Sequence, residues 1–299
     1  MKKTVLVLSA ALIASSVYAF DSSATLKTTG SVSEYTKTEY SITEKFGDYY
    51  RSPKAKFTHI FDASGKETEA SELTNRDSLV DRIMFTYESG RVKNMSCTDA
   101  DGKLSWKMLY EYDSKGRKTE EAAYNAAEVL MNKTIWKYPS DKQIEESFYN
   151  ADGALLSRTI TKLDEQNRNS EVATYRGDGS LDEKKVFTYN DAGKLAEVAY
   201  SDATGMQLKR VVYRFDASYT VTEKQTYNSR NKLSVRVIFK YDSVGNIVKE
   251  TTYNVAEKFG TTVNELAGIS EYSLKYGRGS AAASSTPATT TAASTTDAK

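Results

Sequence analysis

The sequence predicts an all-β protein: an antiparallel β-meander repeat array built from two-strand units of about 26 residues, forming an extended curved sheet or β-spiral. Three observations predict it. A turn motif of fixed composition returns at fixed spacing. The stretches between turns are roughly eight to ten residues long and rich in Tyr and Thr. Pro, which cannot donate to a strand ladder, is nearly absent at three residues in 299.

The turn motif is an aromatic residue, then Asp or Asn, two further residues and Gly. It reads Phe61-Asp62-Ala63-Ser64-Gly65, Tyr112-Asp113-Ser114-Lys115-Gly116, Tyr189-Asn190-Asp191-Ala192-Gly193 and Tyr241-Asp242-Ser243-Val244-Gly245. With altered copies at Tyr87, Tyr138, Leu163 and Phe215, the leading positions are 61, 87, 112, 138, 163, 189, 215 and 241, in steps of 25 or 26. A second series is interleaved at Thr98, Tyr124, Tyr149, Tyr175, Tyr200, Tyr227 and Tyr253, so each unit holds two turns. An Asp or Asn that bonds the backbone two residues on, followed by a Gly free to take positive φ, fits a type I turn closing into a Gly bulge. Connections this short join antiparallel neighbours only. Fifteen to eighteen strands follow.

The stretch Tyr112 to Arg117 resembles the YD repeat of RHS proteins, as do Tyr189 to Lys194 and Tyr241 to Asn246. The likeness covers most of residues 57 to 255. It implies strand–turn–strand repeats, which in that family build a β-sheet shell around a cargo. The unit here is longer, and no cargo or autoproteolytic segment is recognisable.

Strand alternation sends every second side chain to one face. Two residues before the leading positions stand His59, Phe85, Tyr110, Trp136, Thr161, Phe187, Tyr213 and Phe239. Trp106 shares a face with Tyr110. Eight residues before most leading positions stands Leu: Leu79, Leu104, Leu130, Leu155, Leu181 and Leu233. One face should therefore carry an aromatic ladder near one strand end and a Leu ladder near the other. Phe85, Tyr110, Trp136, Phe187, Tyr213, Phe239 and Trp106 are thus either core or a ligand-stacking platform. Ser157, Thr159, Glu183 and Lys185 make the middle of that face polar. Both faces carry charge, as Glu183 and Lys185 against Asp182 and Lys184 show, which argues against an outer-membrane barrel.

Outside the repeats, residues 1–19 have a signal-peptide layout: Lys2 and Lys3, an apolar run from Val5 to Ala14, then Val17 and Ala19 before Phe20. Residues 20–56 are expected to cap the first sheet edge, and Glu271 to Tyr276 the last. The repeat domain spans 57–278. The Ala/Ser/Thr-rich stretch 279–299 reads as a disordered tail or an O-glycosylated stalk.

Chemistry is sparse. Lys plus Arg total 41 against 40 Asp plus Glu, which removes the electrostatic case for nucleic acid or an anionic membrane. One Cys and one His exclude a disulfide framework and His-rich metal centres. A nucleophilic pair would have to be His59 with Cys97. Asp99-Ala100-Asp101-Gly102 and Asp178-Gly179 are faintly calcium-loop-like but lack the ligand series. No cofactor, metal site or catalytic residue is expected. The reading is an exported, non-enzymatic scaffold in the periplasm, on the outer surface or secreted. Its partner would be a protein or glycan bound through an extended sheet face. A structural envelope component and a glycan-active enzyme are the alternatives.

Overall fold

A computed structural model describes residues 28–277 as one antiparallel sheet of eighteen strands. The first six are β1 (Val32–Lys45), β2 (Asp48–Phe61), β3 (Glu67–Thr74), β4 (Leu79–Glu88), β5 (Arg91–Asp99) and β6 (Leu104–Tyr112). The middle six are β7 (Lys118–Asn125), β8 (Leu130–Ser140), β9 (Gln143–Asn150), β10 (Leu155–Leu163), β11 (Asn169–Arg176) and β12 (Leu181–Tyr189). The last six are β13 (Leu195–Ser201), β14 (Gln207–Phe215), β15 (Val221–Asn228), β16 (Leu233–Tyr241), β17 (Ile247–Lys258) and β18 (Thr261–Tyr276). Each pairs with its sequence neighbours. The signal-like segment and the Ala/Ser/Thr-rich tail lie outside the described residues.

The turns have the expected geometry. At the first, Gly65 N–H donates to Asp62 O at 2.9 Å and Asp62 N–H to Lys66 O at 2.8 Å. Asp62 Oδ1 accepts from the Ser64 hydroxyl and from the backbone of Ser64 and Lys66. Those bonds, the Ser64 hydroxyl first, hold its carboxyl below the usual range. A Tyr at the leading position of the turn has its own task. Tyr112 Oη donates to Val92 O at 2.8 Å, Tyr138 Oη to Lys118 O at 2.7 Å and Tyr189 Oη to Asn169 O at 2.8 Å. Each ties its turn to the preceding one at the same sheet end. The basic residue closing the earlier turn covers the next ring: Arg117 lies 4.0 Å from the Tyr138 centroid and Arg168 3.9 Å from that of Tyr189. Such contacts contribute about 0.5–1 kcal/mol each at exposed sites.

The sheet is not open. β1 pairs with β2 on one side and with β18 on the other, from Val32↔Tyr276 to Tyr40↔Ile269, closing the array into a barrel. This corrects the expectation of an extended curved sheet or spiral. The physical reason is the cost of two long edges with unsatisfied backbone groups, which closure removes. Within the stretches expected to cap two separate edges, β1 and residues 271–276 of β18 instead pair with each other. The last strand is also longer than the expected segment, beginning at Thr261.

Closure is fastened at one end by side chains. Asn246, 2 % exposed, accepts from Thr29 N–H at 2.5 Å and donates to Thr29 O at 2.9 Å and Tyr276 Oη at 2.8 Å. Tyr276 Oη donates in turn to Asp242. In the wall behind it Tyr35 stacks on His59, with ring centroids 4.5 Å apart, and meets Tyr272.

The outer face carries a ladder of ion pairs between neighbouring strands. Arg82–Glu69 lies at 3.0 Å, Arg158–Glu145 at 2.7 Å, Arg210–Glu197 at 2.8 Å and Arg236–Glu223 at 2.6 Å. Glu171 is shared by Lys162 and Lys184. A lipid-facing barrel wall has to be nearly free of charge at mid-height. Among the described residues no helix is long and apolar enough to cross a membrane.

Candidate functional site in the barrel lumen

The register places every member of the aromatic ladder on the inner face. The chain of cross-strand partners runs His59↔Ala70↔Ile83, Phe85↔Met95, Tyr110↔Glu121↔Thr134 and Trp136↔Glu146↔Thr159. It continues Thr161↔Val172↔Lys185, Phe187↔Val198↔Val211, Tyr213↔Lys224↔Val237 and Phe239↔Glu250↔Ser270, and returns through Tyr272↔Lys37 and Tyr35↔His59. Trp106, opposite Cys97, lies on the same face. All ladder strands run in one direction, so the rings form a belt near one mouth. The six Leu residues open their strands and stand half-buried near the other.

The belt is not a filled core. Tyr110 is 4 % exposed, held over Met95 and Met108 with Oη 2.9 Å from each sulfur. Phe85, Trp106, Trp136, Phe187, Tyr213 and Phe239 face inward yet stay only half-buried. The two buried clusters follow neighbouring strands around the wall: Ala70, Ile83, Met95, Cys97, Met108, Tyr110 and Ala123 in one, Val32, Tyr35 and Tyr272 in the other. Neither spans the interior. A round ring of eighteen strands at ordinary spacing and tilt measures on the order of 35 Å between facing backbones, too wide for one layer of side chains to fill.

Polar groups line the wall among the rings. Lys118 Nζ lies 4.8 Å from the Tyr110 centroid and 4.6 Å from that of Trp136, and pairs with Glu121 at 2.9 Å. Glu146 is pushed up by burial and by the nearby Glu121, partly offset by Lys118 and by the Trp136 indole, which donates to it. Asn132 and Thr134 are buried beside it. Further round, Lys185 and Lys209 flank Tyr200, 5.5 Å and 4.4 Å from its ring centre. Glu72 and Asp81 are also raised, chiefly by burial. Glu72, Asp81, Asp99, Glu121 and Glu146 thus lie on one stretch of wall, and Lys185, Lys209 and Lys224 on another.

The raised carboxyl of Glu146 gives a signed prediction. A folded-state value above 4.5 means the charged form is penalised by the fold, so stability is fully present below that value and falls as pH rises through the folded pKa. Glu146→Gln keeps an acceptor for the indole and removes the charge. It is expected to stabilise by about 0.5–2 kcal/mol near neutral pH and to give no gain in acid, read from urea unfolding at both.

The structure separates the one nucleophile–base pair that the sequence offers. His59 and Cys97 share an inner rung but stand three strands apart, roughly 14 Å. Burial pushes the Cys97 thiol up to about 12, away from thiolate reactivity. The Asp99 loop is a turn, with Oδ1 accepting from the backbone of Asp101 at 3.0 Å and Lys103 at 2.9 Å. Among the described residues no cluster of His, Cys, Asp or Glu could hold a metal. What the sequence reading missed is the seam: Tyr35, Asn246 and Tyr276. One signal was present, since the turn position of Asn246 is Lys66, Arg117, Arg168 or Lys194 in four other units, although it is Thr220 in a fifth.

No protein-family model and no curated protein matches the chain. Among solved structures, a porin-like protein from Bacteroides uniformis is similar over 83 % of this chain and 99 % of that one, at 12 % identity and TM-score 0.45. A porin-like protein from Bacteroides vulgatus aligns over 72 % and 100 %, at 14 % identity and TM-score 0.39. A DUF1329 family protein from Desulfovibrio piger aligns over 83 % and 87 %, at 11 % identity and TM-score 0.25. Likenesses at this level speak to neither activity nor ligand.

Proposed function

We propose that the chain is an exported, non-enzymatic binding protein that holds a slender glycan strand in its lumen. The observation that carries this reading is the inward belt of half-exposed rings set among Asn, Thr, Glu and Lys. Aromatic faces suit the apolar faces of sugar rings, and the polar groups suit their hydroxyls. A closed wall keeps this face from a folded protein but admits an extended chain. The charged outer wall suits contact with water.

Trp106 and Trp136 both face the lumen and report on it. Titration of the purified protein with envelope-type oligosaccharides is expected to change their emission saturably. Trp136→Ala is expected to weaken binding about tenfold with the fold intact. Unchanged affinity in a Trp106→Ala/Trp136→Ala double variant would count against lumen binding, and no saturable change in the wild type would favour a purely structural role.

A further inference from the structure

Two hairpins of the barrel end in the same four residues. Glu44-Lys45-Phe46-Gly47 and Glu257-Lys258-Phe259-Gly260 stand 213 residues apart, which is not a whole number of 26-residue units. Both are two-residue turns, closed by the pairs Lys45↔Asp48 and Lys258↔Thr261. Phe46 and Gly47 have φ of 55° and 87°, and Phe259 and Gly260 of 51° and 76°. This type I′ geometry favours Asn, Asp or Gly at its first position, because positive φ crowds a Cβ. A third such turn carries Ser89 there, followed by Gly90. Phe46 and Phe259 gain nothing from the fold in return: they are 106 % and 107 % exposed.

The two tips also stand together. β1 and β17 run the same way, so both turns lie at one end of the barrel, on hairpins that are neighbours in the ring. β1 and β18 part beyond Tyr40↔Ile269, and each hairpin continues outward with its own partner strand. Lys258 remains within electrostatic reach of Glu44 and Tyr49 on the other finger. Tyr49 and Tyr50 are exposed as well. None of the seven other turns at this end carries an aromatic residue.

We propose that Phe46 and Phe259 form a two-pronged foot that enters the interfacial layer of a phospholipid bilayer and stands the barrel end-on against it. The occupant is lipid because the two fully exposed Phe rings stand at the extreme tips, above exposed tyrosines, which suit the interfacial layer, and charged side chains. Charged shanks, with Glu44, Lys45, Asp48 and Arg51 on one and Glu257 and Lys258 on the other, limit the depth of entry. A Lys beside each Phe can meet a phosphate, and the Glu before it cancels the net field. Attachment is therefore hydrophobic rather than electrostatic. Two weak insertions on one rigid body reinforce each other. The proposal does not depend on what the lumen holds.

The test is co-sedimentation of the full chain with vesicles of phosphatidylcholine alone or of phosphatidylethanolamine with phosphatidylglycerol. Wild type is expected to pellet with both, changing less than about twofold between about 0.05 M and 0.5 M salt. Phe46→Ser and Phe259→Ser, which copy the Ser89 turn, should each reduce partitioning about tenfold, and the double variant should stay in the supernatant with an unchanged melting temperature. A Phe259→Trp protein should gain an emission component quenched by lipids brominated in the upper acyl chain, a readout that survives if a Ser variant misfolds. Failure of wild type to pellet, equal pelleting of the folded double variant, or binding abolished by salt would overturn the proposal. So would loss of self-association in the double variant without any vesicle binding, which assigns the tips to a second copy of the chain.

Discussion

Tyr35→Ala is expected to lower the free energy of unfolding by about 3–5 kcal/mol, the range for deleting a buried aromatic. Tyr35 is 2 % exposed, and its ring lies 4.5 Å from that of His59, 5.9 Å from Phe61 and 6.4 Å from Tyr272. It therefore joins β1 to both neighbours at the place where the chain's ends meet. Truncation leaves a void that rigid strands on either side cannot close. Urea unfolding followed by circular dichroism measures the loss. Tyr124→Ala is the control, since Tyr124 faces outward with Lys107 over its ring, and should cost under about 1 kcal/mol. Equal losses in the two proteins would show that Tyr35 holds no special place in the seam.

Asn246→Lys should cost about 2–4 kcal/mol although it installs the residue type that other units carry at this turn position. Lys cannot accept from Thr29 N–H, and its ammonium would be buried where Asn246 is 2 % exposed. The damage should be local. Amide exchange of Val32 to Tyr40 and of their β18 partners should accelerate, while β8 to β13 keep their protection. An opened seam frees two strand edges, so the variant should also associate with rising concentration in sedimentation velocity. Uniform acceleration around the whole ring would instead mean that the barrel opens as one unit.

The contrast between these residues and the ladder explains which parts of the molecule could be read without coordinates. The turns and the inward rings are local and repeated, so each unit confirms the others: Phe85, Tyr110, Trp136 and Phe187 share a face because their strands share a register. The pairing of β1 with β18 joins residues more than 200 positions apart and occurs once. No periodic signal marks it. Asn246 differed from its counterparts, but a single departure at a turn reads as drift until Thr29 is seen beside it. The inner wall was legible as a face. Whether that face closes on itself depends on the two chain ends, where the repeat stops.

An antiparallel ring has a parity rule. Neighbours alternate in direction, so the first and last strands can zip only when the total is even, as eighteen is. Loss of half a unit would bring β1 and β18 together in the wrong sense. Loss or duplication of a whole 26-residue unit preserves the zipper and changes the girth by two strand spacings, on the order of 10 Å. The tandem copy is thus the smallest step by which recombination can resize the bore, and relatives with sixteen or twenty strands are reachable in one event whereas seventeen is not.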